Sequence, residues 1–140
     1  MRKSLAPIVF LDTNVLISAT LWDESVSQKL LFELINSGCE IFVSAEILAE
    51  YQRVLKRDFG YADKNICLII NKILRFSSLV VRLEKIELVK DDPEDDKIVS
   101  CAVSSSSDYI ITYDKHLLRL REFKWGRILT PDEFLRLKSD

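Results

Sequence analysis

Apolar residues in this chain fall into short continuous runs, separated by longer stretches in which they recur every three or four positions. Val9-Phe10-Leu11 is the first run, β-branched and aromatic, and reads as a buried strand. Helical spacing then appears in Val26, Leu30, Leu31, Leu34 and Ile35, and Gly38 ends it. Ile41-Phe42-Val43 predicts a second strand. Ser44 predicts the N-cap of a helix running to about Lys56, with Ile47, Leu48, Tyr51, Val54 and Leu55 inward. A further helix is expected over 64–76 and a strand at Leu79-Val80-Val81. Asp92-Pro93-Glu94-Asp95 combines a cap, a first-turn proline and an acidic third residue, so a helix starts there and reaches about Ser105. A strand over 109–112, a short helix over 115–120, a strand at Ile128-Leu129 and a helix over 131–137 complete the pattern. Strands alternating with helices predict a three-layer α/β/α sandwich around a mostly parallel sheet of four to five strands.

One polar group interrupts the first apolar segment: Asp12-Thr13-Asn14 follows Leu11 and precedes Val15-Leu16. In open parallel sheets, sites form outside the carboxyl ends of the strands. Asp12 falls at such an end, and so does Asp114 in Thr112-Tyr113-Asp114. On the helix after Ser44, a turn of about 100° per residue puts Glu50 on the border of the apolar stripe and Glu46 well away from it. The same reckoning puts Asp96 on the border of the helix carrying Ile98, Val99, Ala102 and Val103. Four ionised carboxylates in one pocket would repel and raise one another's pKa. A hard divalent cation relieves that repulsion, and all-oxygen ligation selects Mg²⁺ or Mn²⁺, as one ion or two. Such a centre suits hydrolysis of a phosphodiester by an activated water.

Composition narrows the field further. The chain has 140 residues, 48% of them hydrophobic, enough for a single domain over 1–140 with its own core. Its 20 Lys and Arg against 22 Asp and Glu leave a net charge of −2, which argues against coating nucleic acid or lipid by overall charge. The three glycines are far apart, so no phosphate-cradling loop or dinucleotide fingerprint is present. Cys39, Cys67 and Cys101 stand among apolar neighbours and read as buried, reduced thiols. The N-terminal Met1-Arg2-Lys3 and its apolar run only faintly resemble a signal peptide, and no stretch approaches a membrane span. A cytoplasmic protein is expected.

Five stretches, VFLDTNVLISA, VSAEILAEYQRVL, DDPEDDKIVSCAV, DYIITYDKHLL and ILTPDEFL, together resemble a PIN domain in order and over essentially the whole chain. The resemblance is closest to the prokaryotic branch of VapC-like toxin–antitoxin ribonucleases. It implies a Rossmann-like fold and a metal-dependent endoribonuclease, with RNA as substrate, a small antitoxin protein as partner and a homodimeric state. Its acidic positions carry over to Asp12, Glu50, Asp96 and Asp114. Its supporting polar positions carry over to Thr13, Asn14 and Thr112. Many relatives have a small residue where this chain has Tyr113, so a bulky side chain is expected to narrow the site.

Plainer roles compete at several of these positions. Asp12 and Asp114 suit helix capping, Glu50 suits a solvated helix face, and Asp95 rivals Asp96 as the ligand. His116 reads as a surface residue, and Trp22 and Trp125 as packing or interface residues, with base stacking as the other option. Arg53, Arg57, Lys115 and Arg119 flank the acidic motifs and would meet an RNA backbone, or else belong to a solvated face. A haloacid dehalogenase is excluded because Asn14 stands where a second aspartate is required. A nuclease of housekeeping RNA processing or decay, and a non-catalytic RNA- or protein-binding module, remain the alternatives.

Overall fold

All four residues of β1 (Ile8–Leu11) are buried, as a central strand covered on both faces requires. The computed structural model describes residues 6–81 and 93–139. After β1 come α1 (Thr13–Leu21), α2 (Val26–Asn36), β2 (Glu40–Ser44), α3 (Ala45–Phe59), α4 (Asp63–Phe76) and β3 (Ser78–Val80). Then follow α5 (Pro93–Ser104), β4 (Tyr109–Ile111), α6 (Lys115–Leu120), β5 (Glu122–Phe123), β6 (Gly126–Leu129) and α7 (Pro131–Ser139). The capping box expected at Asp92 and Asp95 lies outside the residues and side chains described.

The sheet order is β3-β2-β1-β4-β6-β5, parallel throughout except for the last pair. Among the described residues six strands therefore stand where four to five were expected. The additional one, β5, has two residues and shows no alternation in the sequence. Right-handed crossovers place the helices leaving β1 and β2 on one face and α5, which returns to β4, on the other. The packing agrees, because α1 meets α2 and α3 while α5 packs on β1 and β4.

Helix α1 was not visible as an amphipathic stripe. Thr13, Val15, Leu16, Ile17 and Ala19 are all buried, so it is wrapped on several sides. The expected caps at β2 and at the end of α2 are present. Ser44 Oγ accepts from Ile47 N at 3.0 Å, and Gly38 adopts the left-handed conformation (φ 72°) just past α2. Among the described residues no helix is long and apolar enough to cross a membrane. The cysteines divide: Cys101 is buried, Cys39 is half-buried, and Cys67 is exposed on α4, against the expectation of three buried thiols. All three are free. Cys67 lies beside the stripe of Ile66 and Ile73 rather than on it, so its apolar sequence neighbours misled.

Candidate active site

The order in which strands are added to the sheet reverses between β1 and β4, which are parallel: β2 and β3 extend from one side of β1, and β4, β6 and β5 from the other. This is the switch point at which open α/β sheets form a crevice. Asp12 follows β1 there, and its N–H donates to Ile111 O at 3.1 Å, one ladder step beyond the strand. Asp12 is also the N-cap of α1, its Oδ1 accepting from Thr13 N at 2.8 Å. The other oxygen, Oδ2, accepts from the Thr112 hydroxyl at 2.6 Å. Thr112 Oγ1 in turn accepts from Asp114 N at 2.9 Å, so one buried threonine ties the two strand-end aspartates together. Asp114 caps α6 by accepting from His116 N at 2.8 Å. The capping roles weighed for Asp12 and Asp114 are thus real, and they leave both carboxylates at the same edge.

Helix α3 supplies the facing side. Tyr51 is fully buried and its hydroxyl is 2.7 Å from Thr20 Oγ1 on α1, which sets the rotation of α3 about its axis. Glu50, Arg53, Val54 and Arg57 then line a cavity of about 630 Å³ together with Asp12, Asn14, Ser44, Asp114, Lys97 and Ile98. Glu46 lines it too, contrary to the expectation that it points well away. At about 100° per residue Glu46 lies only about 40° beyond Glu50, so the face used by the cavity is wider than the border of the apolar stripe. Lys97 was also missed, and its place beside Asp96 in the first turn of α5 was the signal available.

Three of the four acidic candidates, Asp12, Glu50 and Asp114, therefore share one cavity. Asp96 is half-buried in the first turn of α5 and is not among the lining residues, whereas its neighbours Lys97 and Ile98 are. The Asp95 side chain lies outside the description. Of the supporting set, Asn14 lines the cavity, while Thr13 and Thr112 are buried behind it. Arg53 and Arg57 line the cavity. Lys115 and Arg119 are exposed on α6 and do not. Tyr113 does not narrow the site, because its hydroxyl is 2.9 Å from Ser27 Oγ on α2 and its ring stays outside the cavity.

Burial pushes the Asp12 carboxyl above its ordinary value of 3.8. Hydrogen bonds from Thr112 and Thr13 oppose that rise, and the negative charges of Glu50 and Asp114 add to it. Arg57 is held charged chiefly by its hydrogen bond to Asp58, with Glu50 a smaller contributor, and Asp58 is lowered in return. A buried carboxylate beside two like charges is the situation that a hard cation relieves, and the donors present are all oxygens. The Thr13 hydroxyl, next to Asp12, is buried with no hydrogen-bond partner among the described residues. The donor chemistry thus fits a divalent ion. Among the described residues, however, no three acidic, histidine or cysteine side chains stand close enough to hold one ion by themselves. Bound water or phosphate oxygens would have to complete its shell, as is usual for Mg²⁺.

Strand order, the carboxylates at the switch point and the cavity between β1, β4 and α3 define a class, and one comparison identifies it. A model of the PIN domain family matches residues 8–116, and the chain belongs to that family, whose members are generally nucleases and typically use divalent metals. Two solved structures share the fold. VapBC2 from Rickettsia felis, solved bound to a DNA fragment from its promoter, is 17% identical with a TM-score of 0.64 over 86% of this chain and 96% of that one. PAE2754 from Pyrobaculum aerophilum is 17% identical with a TM-score of 0.59, over 100% of this chain and 95% of that one. No curated protein sequence is a significant match.

Proposed function

We propose that this PIN domain is a metal-dependent endoribonuclease and the toxin of a toxin–antitoxin pair. The observation that carries the reading is the convergence of Asp12, Glu50 and Asp114, from three separate elements, on one cavity at the switch point. These three would hold one or two Mg²⁺ or Mn²⁺ ions, with Asp96 from the first turn of α5 as the fourth ligand. A bound ion would supply an activated water and neutralise charge on the phosphate. The protein's own part is positioning. Thr112 orients Asp12 through its 2.6 Å hydrogen bond and fixes the backbone of Asp114. Arg53, Arg57 and Lys97 give the cavity rim cations for the phosphates of an RNA chain. Hydrolysis would leave a 5′-phosphate and a 3′-hydroxyl.

A small antitoxin is proposed to block this cavity with a basic side chain, and the likeness of the fold to a VapBC2 structure supports the toxin reading. Phe32, Ile35, Leu68 and Leu74 are exposed on α2 and α4, supplying apolar surface for a partner or a second copy. We place the protein in the cytoplasm. The test is incubation of labelled RNA with the pure protein in Mn²⁺ or in EDTA, alongside Asp12→Asn. Cleavage confined to the wild type in Mn²⁺ is expected. Cleavage that persists in EDTA or in the variant contradicts the proposal.

A further inference from the structure

A second cavity, of about 440 Å³, opens at the opposite edge of the sheet. Pro7 precedes β1, Asp108 precedes β4 and Trp125 precedes β6, so the cavity lies at the amino ends of three parallel strands, and α7 lines it with Phe134, Leu137 and Lys138. The candidate active site lies at the carboxyl ends. Four residues of β1 separate the two edges by about 13 Å at the usual rise per strand residue.

Trp125 is 56% exposed, yet it is not loose. Its Nε1–H donates to Ser107 O at 2.9 Å, and its ring leans on Phe123 at 6.4 Å. The preceding residue, Lys124, is held at φ 46°, a conformation that costs a side-chain-bearing residue free energy. Phe123 pairs with Gly126, so Lys124-Trp125 is a two-residue hairpin loop, which requires that φ > 0, and the hydrogen bond to Ser107 O fixes the ring that the loop leaves at the surface. Across the cavity, Tyr109 stacks edge-on against Phe134 at 5.4 Å, which fixes the opposite side. Arg127 and Lys138 also line the cavity, and neither forms an ion pair among the described residues. Among the described residues the one carboxylate lining it is Asp108, which accepts from Ile8 N at 2.8 Å, so the described lining carries two cations against one anion.

Lys138 Nζ lies over the Phe134 ring at 5.9 Å, so it is held by an aromatic face rather than by a carboxylate. A fixed, half-open indole beside two cations is the chemistry that takes a nucleotide: a base stacks on the ring and its phosphate meets the cations. We propose that Trp125, Arg127 and Lys138 form an accessory contact for single-stranded RNA, holding a nucleotide away from the scissile position. The choice of RNA rests on the ribonuclease reading; the stacking geometry does not. The chain has two tryptophans, so a Trp22→Phe background leaves Trp125 as the sole indole reporter.

The experiment titrates that protein in EDTA with RNA of about 16 nucleotides, long enough for an extended single-strand site, and follows indole fluorescence. Quenching is expected, with Trp125→Ala weakening the affinity about tenfold and Trp125→Phe keeping most of it. Arg127→Ala should lower the salt dependence of binding by roughly one ion. It also serves if Trp125→Ala does not fold, since the Arg127 side chain is exposed. No quenching, or affinity and salt dependence unchanged in these variants, overturns the proposal. Quenching and tenfold weakening in a protein that fails to cleave RNA in Mn²⁺ would sustain this site and refute the ribonuclease reading. Cleavage with unchanged binding would do the reverse.

Discussion

Two hydrogen bonds and a buried position fix the orientation of the Asp12 carboxylate, and the same burial makes its charge costly. Its pKa is raised in the fold, so the stabilising contribution of the protonated form is fully present below 3.8 and is lost as pH rises through the raised value. In EDTA at neutral pH, Asp12→Asn should therefore melt at a higher temperature than the wild type. The gap should close as the pH is lowered towards 3.8, in melts run across a pH series; a variant melting lower at neutral pH would contradict this. Thr112→Val removes the hydroxyl that both holds Asp12 and accepts from Asp114 N, and should weaken metal binding about 10- to 100-fold by calorimetric titration. The edge positions of Asp12 and Asp114 were legible in the sequence because a charged residue at the end of an apolar strand, directly after β1 or three residues past Ile111 of β4, has few places to go but the sheet edge. The link that Thr112 makes between them was not legible, since it depends on two strands distant in sequence lying side by side.

Helix α3 shows how an element carries the site. Ser44 caps it at the end of β2, Tyr51 anchors it to α1, and Gly60 closes it at φ 67°. Tyr51→Phe removes the bond to Thr20 and should cost about 1 kcal/mol of stability in denaturant unfolding. The β5–β6 hairpin has a steric requirement: a Cβ at Gly126 would overlap the buried Phe123 ring, so Gly126→Ala should cost roughly 1–3 kcal/mol. The periodicity of α2, α3 and α4 made them readable from sequence, because each buries one stripe. Helix α1 buries several sides and β5 has two residues, so neither leaves a periodic trace. Glu46 was misplaced for a related reason. The apolar stripe locates the core side of a helix, but the width of the face turned to a cleft depends on how its neighbours stand.

Across the described residues, the sheet separates two polar edges, an acidic cavity rimmed by Arg53, Arg57 and Lys97 and an aromatic one carrying Arg127 and Lys138 at the far side. A net charge of −2 conceals both, which is why composition spoke only against indiscriminate binding. Arg53→Ala should weaken RNA binding similarly for all sequences and lower its salt dependence by roughly one ion, measured as affinity against salt concentration. The central claim is that the cavity lined by Asp12, Glu50 and Asp114 takes up a divalent ion, its shell completed by other oxygens, and Mn²⁺ binding tests it without knowledge of the RNA target. Titration followed by electron paramagnetic resonance should show the wild type taking up Mn²⁺, and Asp12→Asn losing at least about tenfold in affinity. Equal Mn²⁺ affinity in the two proteins would contradict the account.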